Sequence, residues 1–340
     1  MTTASRTLAS LASLALLFGC GTESNRTIAG TLVANHTSNF SAWSEPVSLG
    51  PTINMSGFND QQSALSKDGL SLYFASARPE GPGDVNLDLN LWVSQRACGD
   101  DSCPWETPVS LGSTVNSSVN DFAPALSRDG HLLFFASLRQ PGGHGSSDIW
   151  VSRRENVHDD FDWEPPVNLG AGVNASGFEG GPAYFENDDV GVPQLYFNKN
   201  PLPSNAAGDI YVSEQGADGT WEAAVPVSQL NSDSTDQRPS VAPNGLAIYF
   251  YSNRLGSTPN ILGTTSNDIW VSSRETVLEP WSAPVNLGLP ISTAAGELHP
   301  FIVSHGATEL LYFTRNVATP PAIDLDIFVS TRTRQGRGPE

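Results

Sequence analysis

The chain is expected to fold as an all-β propeller of five four-stranded blades, because three short phrases recur along it in fixed order. The phrase W-x-x-P-V-x-L-G stands as WSEPVSLG from Trp43, WETPVSLG from Trp105, WEPPVNLG from Trp163 and WSAPVNLG from Trp281. A degenerate copy, WEAAVPVSQL, opens at Trp221. A second phrase stands as NLWVSQR from Asn90, DIWVSRR from Asp148, DIYVSEQ from Asp209, DIWVSSR from Asp268 and DIFVSTR from Asp326. A third ends as SLYFASAR at Arg78, LLFFASLR at Arg139, QLYFNKN at Asn200, AIYFYSNR at Arg254 and LLYFTRN at Asn316.

Each repeat reads as four strands. The inner strand is an apolar stretch closed by a tight turn, as in SALSKDG, PALSRDG and PSVAPNG, with looser versions after Pro182 and Pro300. Asp-Gly and Asn-Gly between apolar runs are hairpin signals. The aromatic third phrase is then the second strand, the D-I-W-V-S phrase the third, and the W-x-x-P-V phrase the outer strand. The equivalent residues Asp60, Asp121, Glu179, Asp236 and Glu297 recur every 57–61 residues, a period that suits radially stacked blades. One outer phrase, at Trp43, precedes the first inner strand, and none follows the last. Residues 42–50 are therefore expected to supply the outer strand of the final blade and remove its open edge. Blade 3 departs most, with ENDDVGVPQ in place of the compact turn. Of the eight Trp, five open outer strands and Trp92, Trp150 and Trp270 lie in third strands, positions that suit packing between blades.

Composition agrees with β structure: 31 Gly and 25 Pro, only 16% charged residues, and no long stretch suited to a soluble helix. The formal net charge of −19 sets this surface against phosphate backbones, so nucleic acid is not expected as a partner.

The N-terminus reads as an address. Leu8 to Gly19 is an apolar run too short to span a bilayer, with the flanks of a cleavable signal peptide over residues 1–19. It ends at Leu17-Phe18-Gly19-Cys20, which resembles the bacterial lipoprotein signal. That resemblance implies lipidation of Cys20, a tether over residues 20–41, and, with Thr22 rather than Asp at the second mature position, an outer-membrane lipoprotein facing the periplasm or the surface. Membrane contact would run through the lipid anchor alone. Of three Cys, Cys98 and Cys103 then remain as a pair in a short Gly-bearing loop, where a disulfide is expected; a metal site is the alternative reading. Residues 42–332 make the propeller, and 333–340 read as a disordered tail.

The S-x-D-G turn, the LYF strand, the D-I-W/Y-V-S strand and the W-x-x-P-V-N-L-G tail together resemble the WD40-like repeat of TolB-type propellers. The likeness covers residues 42–332. It implies a cell-envelope propeller and says little about activity, because the repeat serves several functions.

The candidate site is the channel mouth. Asp60, Asp121, Glu179, Asp236 and Glu297 open the inner strands, so five carboxylates are expected around one end of the channel. Two readings stand: a hard-cation site, with Ca²⁺ suited to oxygen ligands, or acids that cap their own blades. Five-fold repetition favours caps. Two positions on, Gln62, Ala123, Gly181, Arg238 and His299 break the symmetry, and simple alternation places them on the side of the acids. Arg238 and His299 then either face a ligand or, as expected here, neutralise Asp236 and Glu297. Asp148, Asp209, Asp268 and Asp326 open the third strands and are expected to pair with Arg139, Arg254 and Arg315 or to cap turns.

The function expected from the sequence is a monomeric, non-catalytic recognition or scaffold module. It would bind an envelope protein, peptide or glycan through the face carrying the acidic mouth and the variable loops. The alternative is a carbohydrate-active enzyme. In five-bladed glycoside hydrolases three channel carboxylates serve as base, acid and pKa modulator, but no pair among these five is marked out by sequence.

Overall fold

The computed structural model describes residues 40–335 except 82, 84, 85, 101, 201–206 and 319–322. Twenty strands form five antiparallel four-stranded sheets. Blade 1 holds β2 (Asp60–Leu65), β3 (Ser71–Ser76), β4 (Asn90–Gln95) and β5 (Val109–Ser110). Blade 2 holds β6 (Asp121–Leu126), β7 (Leu132–Ser137), β8 (Asp148–Arg153) and β9 (Val167–Asn168). Blade 3 holds β10 (Phe178–Phe185), β11 (Gln194–Asn200), β12 (Asp209–Glu214) and β13 (Val225–Pro226). Blade 4 holds β14 (Asp236–Val241), β15 (Ala247–Ser252), β16 (Asp268–Ser273) and β17 (Val285–Asn286). Blade 5 joins β18 (Glu297–His305), β19 (Thr308–Asn316) and β20 (Leu325–Thr333) to β1 (Val47–Ser48) from the start of the propeller. Inner strands touch in the order β2, β6, β10, β14, β18 and back to β2, so the ring is closed.

The latch is built like the other blades. Val47 lies opposite Val329 and Ser48 opposite Phe328. In blades 1, 2 and 4 an Arg after the third strand stacks on the Trp of the outer phrase: Arg96 on Trp105, Arg154 on Trp163 and Arg274 on Trp281, at 4.4, 4.4 and 4.0 Å. In blade 5 Arg332 stacks on Trp43 at 4.5 Å, the same contact made across the ring closure. The second-strand aromatics are fully buried, among them Tyr73, Phe74, Phe134, Phe135, Phe197, Phe250 and Phe313. They fill the seams between neighbouring sheets, as radial stacking requires.

Simple alternation fails in every inner strand. The register shifts between Gln61 and Ala64, Phe122 and Ala125, Gly180 and Ala183, Gln237 and Ser240, and Leu298 and Phe301. Each shift is a β-bulge with one residue at positive φ: Gln62 (61°), Ala123 (56°), Gly181 (59°), Arg238 (57°) and His299 (52°). The expectation that these five share a side with the acids is thereby corrected. The bulge re-aims them into the bore, where all five line a small cavity of about 90 Å³. The cavity shares Leu126, Tyr184, Val241 and Phe301 with a second one of about 240 Å³ at the face carrying the hairpin turns.

The disulfide expected between Cys98 and Cys103 is present, closing the loop between β4 and β5. Cys20 and residues 1–39 lie outside the described residues, so the lipidation expected there is a proposal taken up below.

Candidate functional site

Asp60, Asp121, Asp236 and Glu297 are each fully buried and each held by a guanidinium of its own blade. Arg78 meets Asp60 at 2.6 Å, Arg139 meets Asp121 at 2.5 Å, Arg254 meets Asp236, and Arg315 meets Glu297 at 2.8 Å. The second carboxylate oxygen accepts backbone N–H from the preceding loop: Met55 for Asp60, Ser117 for Asp121, Ser232 for Asp236 and Thr293 for Glu297. The same Arg also donates to a loop carbonyl, Ile53, Val115, Leu230 or Ile291. Its guanidinium lies over the third-strand aromatic, at 5.5 Å from Trp92, 5.2 Å from Trp150, 5.2 Å from Trp270 and 5.1 Å from Phe328. Acid, cation and aromatic thus form one repeated clamp that ties the loop before the inner strand to the next two strands.

Acid length and cation position change together. Asp60, Asp121 and Asp236 lie opposite Ser76, Ser137 and Ser252, and their Arg comes two residues later. The longer Glu297 lies directly opposite Arg315 and Glu179 directly opposite Lys199. Arg139, Arg254 and Arg315 therefore pair with inner-strand acids, and the pairing expected with the third-strand Asp residues is corrected. Asp148 and Asp268 cap turns instead, accepting N–H from His144 and Gly145 and from Thr258. Arg238 and His299 do not neutralise Asp236 and Glu297, because Arg254 and Arg315 already occupy those carboxylates. Among the described residues no group of three or more His, Cys, Asp or Glu side chains is arranged to hold a metal ion, which gives the Ca²⁺ reading no donor set.

Blade 3 breaks the clamp. Glu179 is fully buried, but its cation is the ammonium of Lys199, 3.4 Å away and a quarter exposed. Ala175 stands where the other loops place Ser117, Ser232 and Thr293, so no hydroxyl reaches the acid. The Ala175 backbone approaches it, yet neither carboxylate oxygen accepts a bond of proper geometry. Burial pushes the Glu179 carboxyl up, the charge of Asp148 adds to this, and Lys199 offsets it only in part. Asp209 faces Lys199 from the other side, so Glu179, Lys199 and Asp209 stand in one cross-strand row. Burial and the charge of Asp236 raise the Asp209 carboxyl as well. In blade 5 burial raises Glu297 to about 7 in spite of its clamp.

Beside this row lies Arg238. Its Nε and Nη1 are buried and meet no hydrogen-bond partner. The guanidinium lies 5.2 Å from the Phe122 ring, which stacks on Phe178 at 6.1 Å. A Cβ on Gly180 would stand 3.5 Å from Arg238 Nη1, and one on Gly181 would stand 2.5 Å from Arg238 Cδ and 2.8 Å from Asn198 Oδ1. The glycines of blade 3 thus make the room that the arginine of blade 4 fills. On the other side of the bore the bulge residues are joined: Gln62 Oε1 accepts the Ala123 N–H, and Gln62 Nε2 lies 3.5 Å from His299 Nε2. Burial and the Arg238 charge push His299 well below its ordinary value, which leaves the imidazole neutral.

No protein-family model and no curated protein matches the chain. Solved structures do share its fold. A glycoside hydrolase superposes with a TM-score of 0.61 at 11% identity, over 92% of this chain and 96% of its own. The catalytic domain of a family-62 α-L-arabinofuranosidase from Coprinopsis cinerea gives 0.56 at 11%, over 87% and 98%. A thermostable family-43 glycoside hydrolase gives 0.54 at 16%, over 83% and 96%. At such identities the likeness shows the fold.

These findings correct two expectations. The resemblance to TolB-type propellers is not sustained, since no such family model matches and the solved structures described above are glycoside hydrolases. Its physical source is now clear: the shared phrases supply the Trp–Arg stack, the aromatic over the clamp and the hairpin turn, which blade geometry demands of any such repeat. The expectation of a non-catalytic recognition or scaffold module is corrected as well, because the solved structures described above that share the fold are glycoside hydrolases. The four clamped acids agree with the favoured reading of the acids as blade caps, and Glu179 departs from it.

Proposed function

We propose that the chain is a carbohydrate-active enzyme that cleaves a glycosidic bond at the blade 3 sector of the channel mouth, with Glu179 as proton donor. The observation that carries this reading is the difference between Glu179 and its four equivalents. It alone among the five lacks a guanidinium and proper hydrogen bonds. A buried carboxyl with a raised pKa holds its proton to higher pH than a free one and can protonate a leaving oxygen. Asp209, in the same row, is the second carboxyl. Lys199 and Arg238 offer donors to the oxygens of a sugar ring. The glycosidases that share the fold support the substrate class.

The test is release of sugar from a panel of polysaccharides and aryl glycosides, α-L-arabinofuranosides included. Glu179→Gln should lower kcat by about 10²–10⁴-fold with little change in melting temperature. Activity equal to that of the unaltered chain would show Glu179 to be structural.

We further propose that the enzyme is an exported lipoprotein anchored through Cys20. The apolar run ending at Gly19 and the Cys98–Cys103 disulfide, which suits an oxidising compartment, support this. Radiolabelled fatty acid should enter the chain in bacteria and be lost in Cys20→Ala. Equal labelling of the variant would refute it.

A further inference from the structure

Arg238 is a permanent positive charge placed inside the ring with nothing to answer it. Of the five bulge residues, Gln62, Ala123, Gly181, Arg238 and His299, it is the one charged at neutral pH. Its aromatic neighbour Phe122 covers one face of the guanidinium, but the in-plane donors Nε and Nη1 remain unused. The nearest acid along its own strand, Asp236, is committed to Arg254 and to the backbone N–H and hydroxyl of Ser232. Tyr251, which touches the edge of His299 at 5.6 Å, donates its hydroxyl to Gln237. Buried donors without acceptors are costly, a half-buried charge without a counterion adds to that cost, and such a group persists where a partner arrives from outside.

The room around the guanidinium is also constructed. Gly181 holds φ +59°, and any side chain there would strike Arg238. Arg238 itself holds φ +57°, a conformation that disfavours side chains and here turns this one into the bore. Next to it Asn198 donates through Nδ2 to Asn200, while its Oδ1 is buried and accepts nothing. Asn198 Oδ1 and Arg238 Cδ both lie within 3 Å of the point where a Gly181 Cβ would stand, at 2.8 and 2.5 Å. Arg238 in the bore therefore asks for an acceptor, and the buried Asn198 Oδ1 beside it asks for a donor.

We propose that this pair recognises the carboxylate and an adjacent hydroxyl of an acidic sugar, so that the substrate glycan carries a uronate residue. A carboxylate matches the fork of an arginine in two parallel bonds, and a sugar hydroxyl supplies the donor that Asn198 Oδ1 lacks. The substrate class rests on the glycosidase reading above, but the binding can be measured apart from catalysis.

The test is calorimetric titration of the full chain with D-galacturonate and D-glucuronate, with galactose and glucose as neutral counterparts and acetate as a free carboxylate. The uronates should bind at least tenfold more tightly than the neutral sugars and than acetate. Arg238→Met should lose that margin while melting no lower than the unaltered chain, because it removes a half-buried charge with no counterion. Arg238→Lys should keep part of it. Two outcomes separate this site from the chemistry: hydrolysis of neutral glycans without uronate binding sinks this inference alone, and uronate binding without hydrolysis sinks the glycosidase reading alone. Equal binding of acetate would assign the site to small carboxylates and overturn the sugar. Equal binding of neutral sugars, or an Arg238→Met chain that binds uronates normally or melts markedly lower, would make Arg238 a packing residue.

Discussion

Glu179 and Glu297 occupy equivalent places, yet their neighbours give them different tasks. Glu297 has a guanidinium, a backbone N–H and a hydroxyl, and burial still raises it to about 7. An unfolded glutamate titrates near about 4.3. Between those values the folded chain keeps a proton that the unfolded chain has released, so stability falls as pH rises from about 4.5 to about 7. Melting temperature should therefore climb on acidification across that window, and Glu297→Gln should flatten the climb; an unchanged slope would remove Glu297 as its source. Gly181 has no such freedom. Gly181→Ala should cost about 1–2 kcal/mol through its positive φ alone and more through collision with Arg238. A scan of thermal unfolding reads this directly.

The clamp is the unit that makes an inner strand. Removing its cation strands a buried carboxylate, so Arg139→Met should cost about 3–5 kcal/mol. The corresponding Lys199→Met in blade 3 should cost less than about 1 kcal/mol, because the ammonium is partly exposed and sits 3.4 Å from its acid. Chemical denaturation of the two variants compares them, and equal losses would contradict the division between structural and reactive acids. The clamp also marks how far the sequence could be read. Strand order, the equivalence of the five acids and the latch were legible because each is carried by a repeated phrase. The bulges were not, since a left-handed residue at Gln62, Arg238 or His299 leaves no compositional trace, and alternation was the natural but mistaken assumption. The cation partners were misassigned for a related reason. Arg139 and Arg254 sit two residues past their strands, where register alone does not say whether they turn toward the first strand or the third. What singles out Glu179 was present in the sequence as Ala175 and Lys199 in place of a hydroxyl and an arginine. Those departures become readable only once the clamp is seen in the other four blades.

Across the whole molecule, closure depends on one short strand. β1 gives blade 5 its outer edge, and Trp43 completes the stack on Arg332. Deleting residues 40–50 should expose the edge of β20 and replace one cooperative unfolding transition with a broader one at lower temperature, with self-association visible by size-exclusion chromatography. A sharp, unshifted transition would mean that the ring holds without its latch. A closed ring with four sealed clamps and one broken one sets blade 3 and its border with blade 4 apart, and the proposed chemistry belongs there. The measurement that tests this most directly is the rate of glycan hydrolysis by the full chain and by Glu179→Gln, each checked for an intact fold. The account predicts hydrolysis that falls by about two orders of magnitude or more in the variant. Full activity in Glu179→Gln, or its loss instead in a clamp variant that still folds, would contradict it.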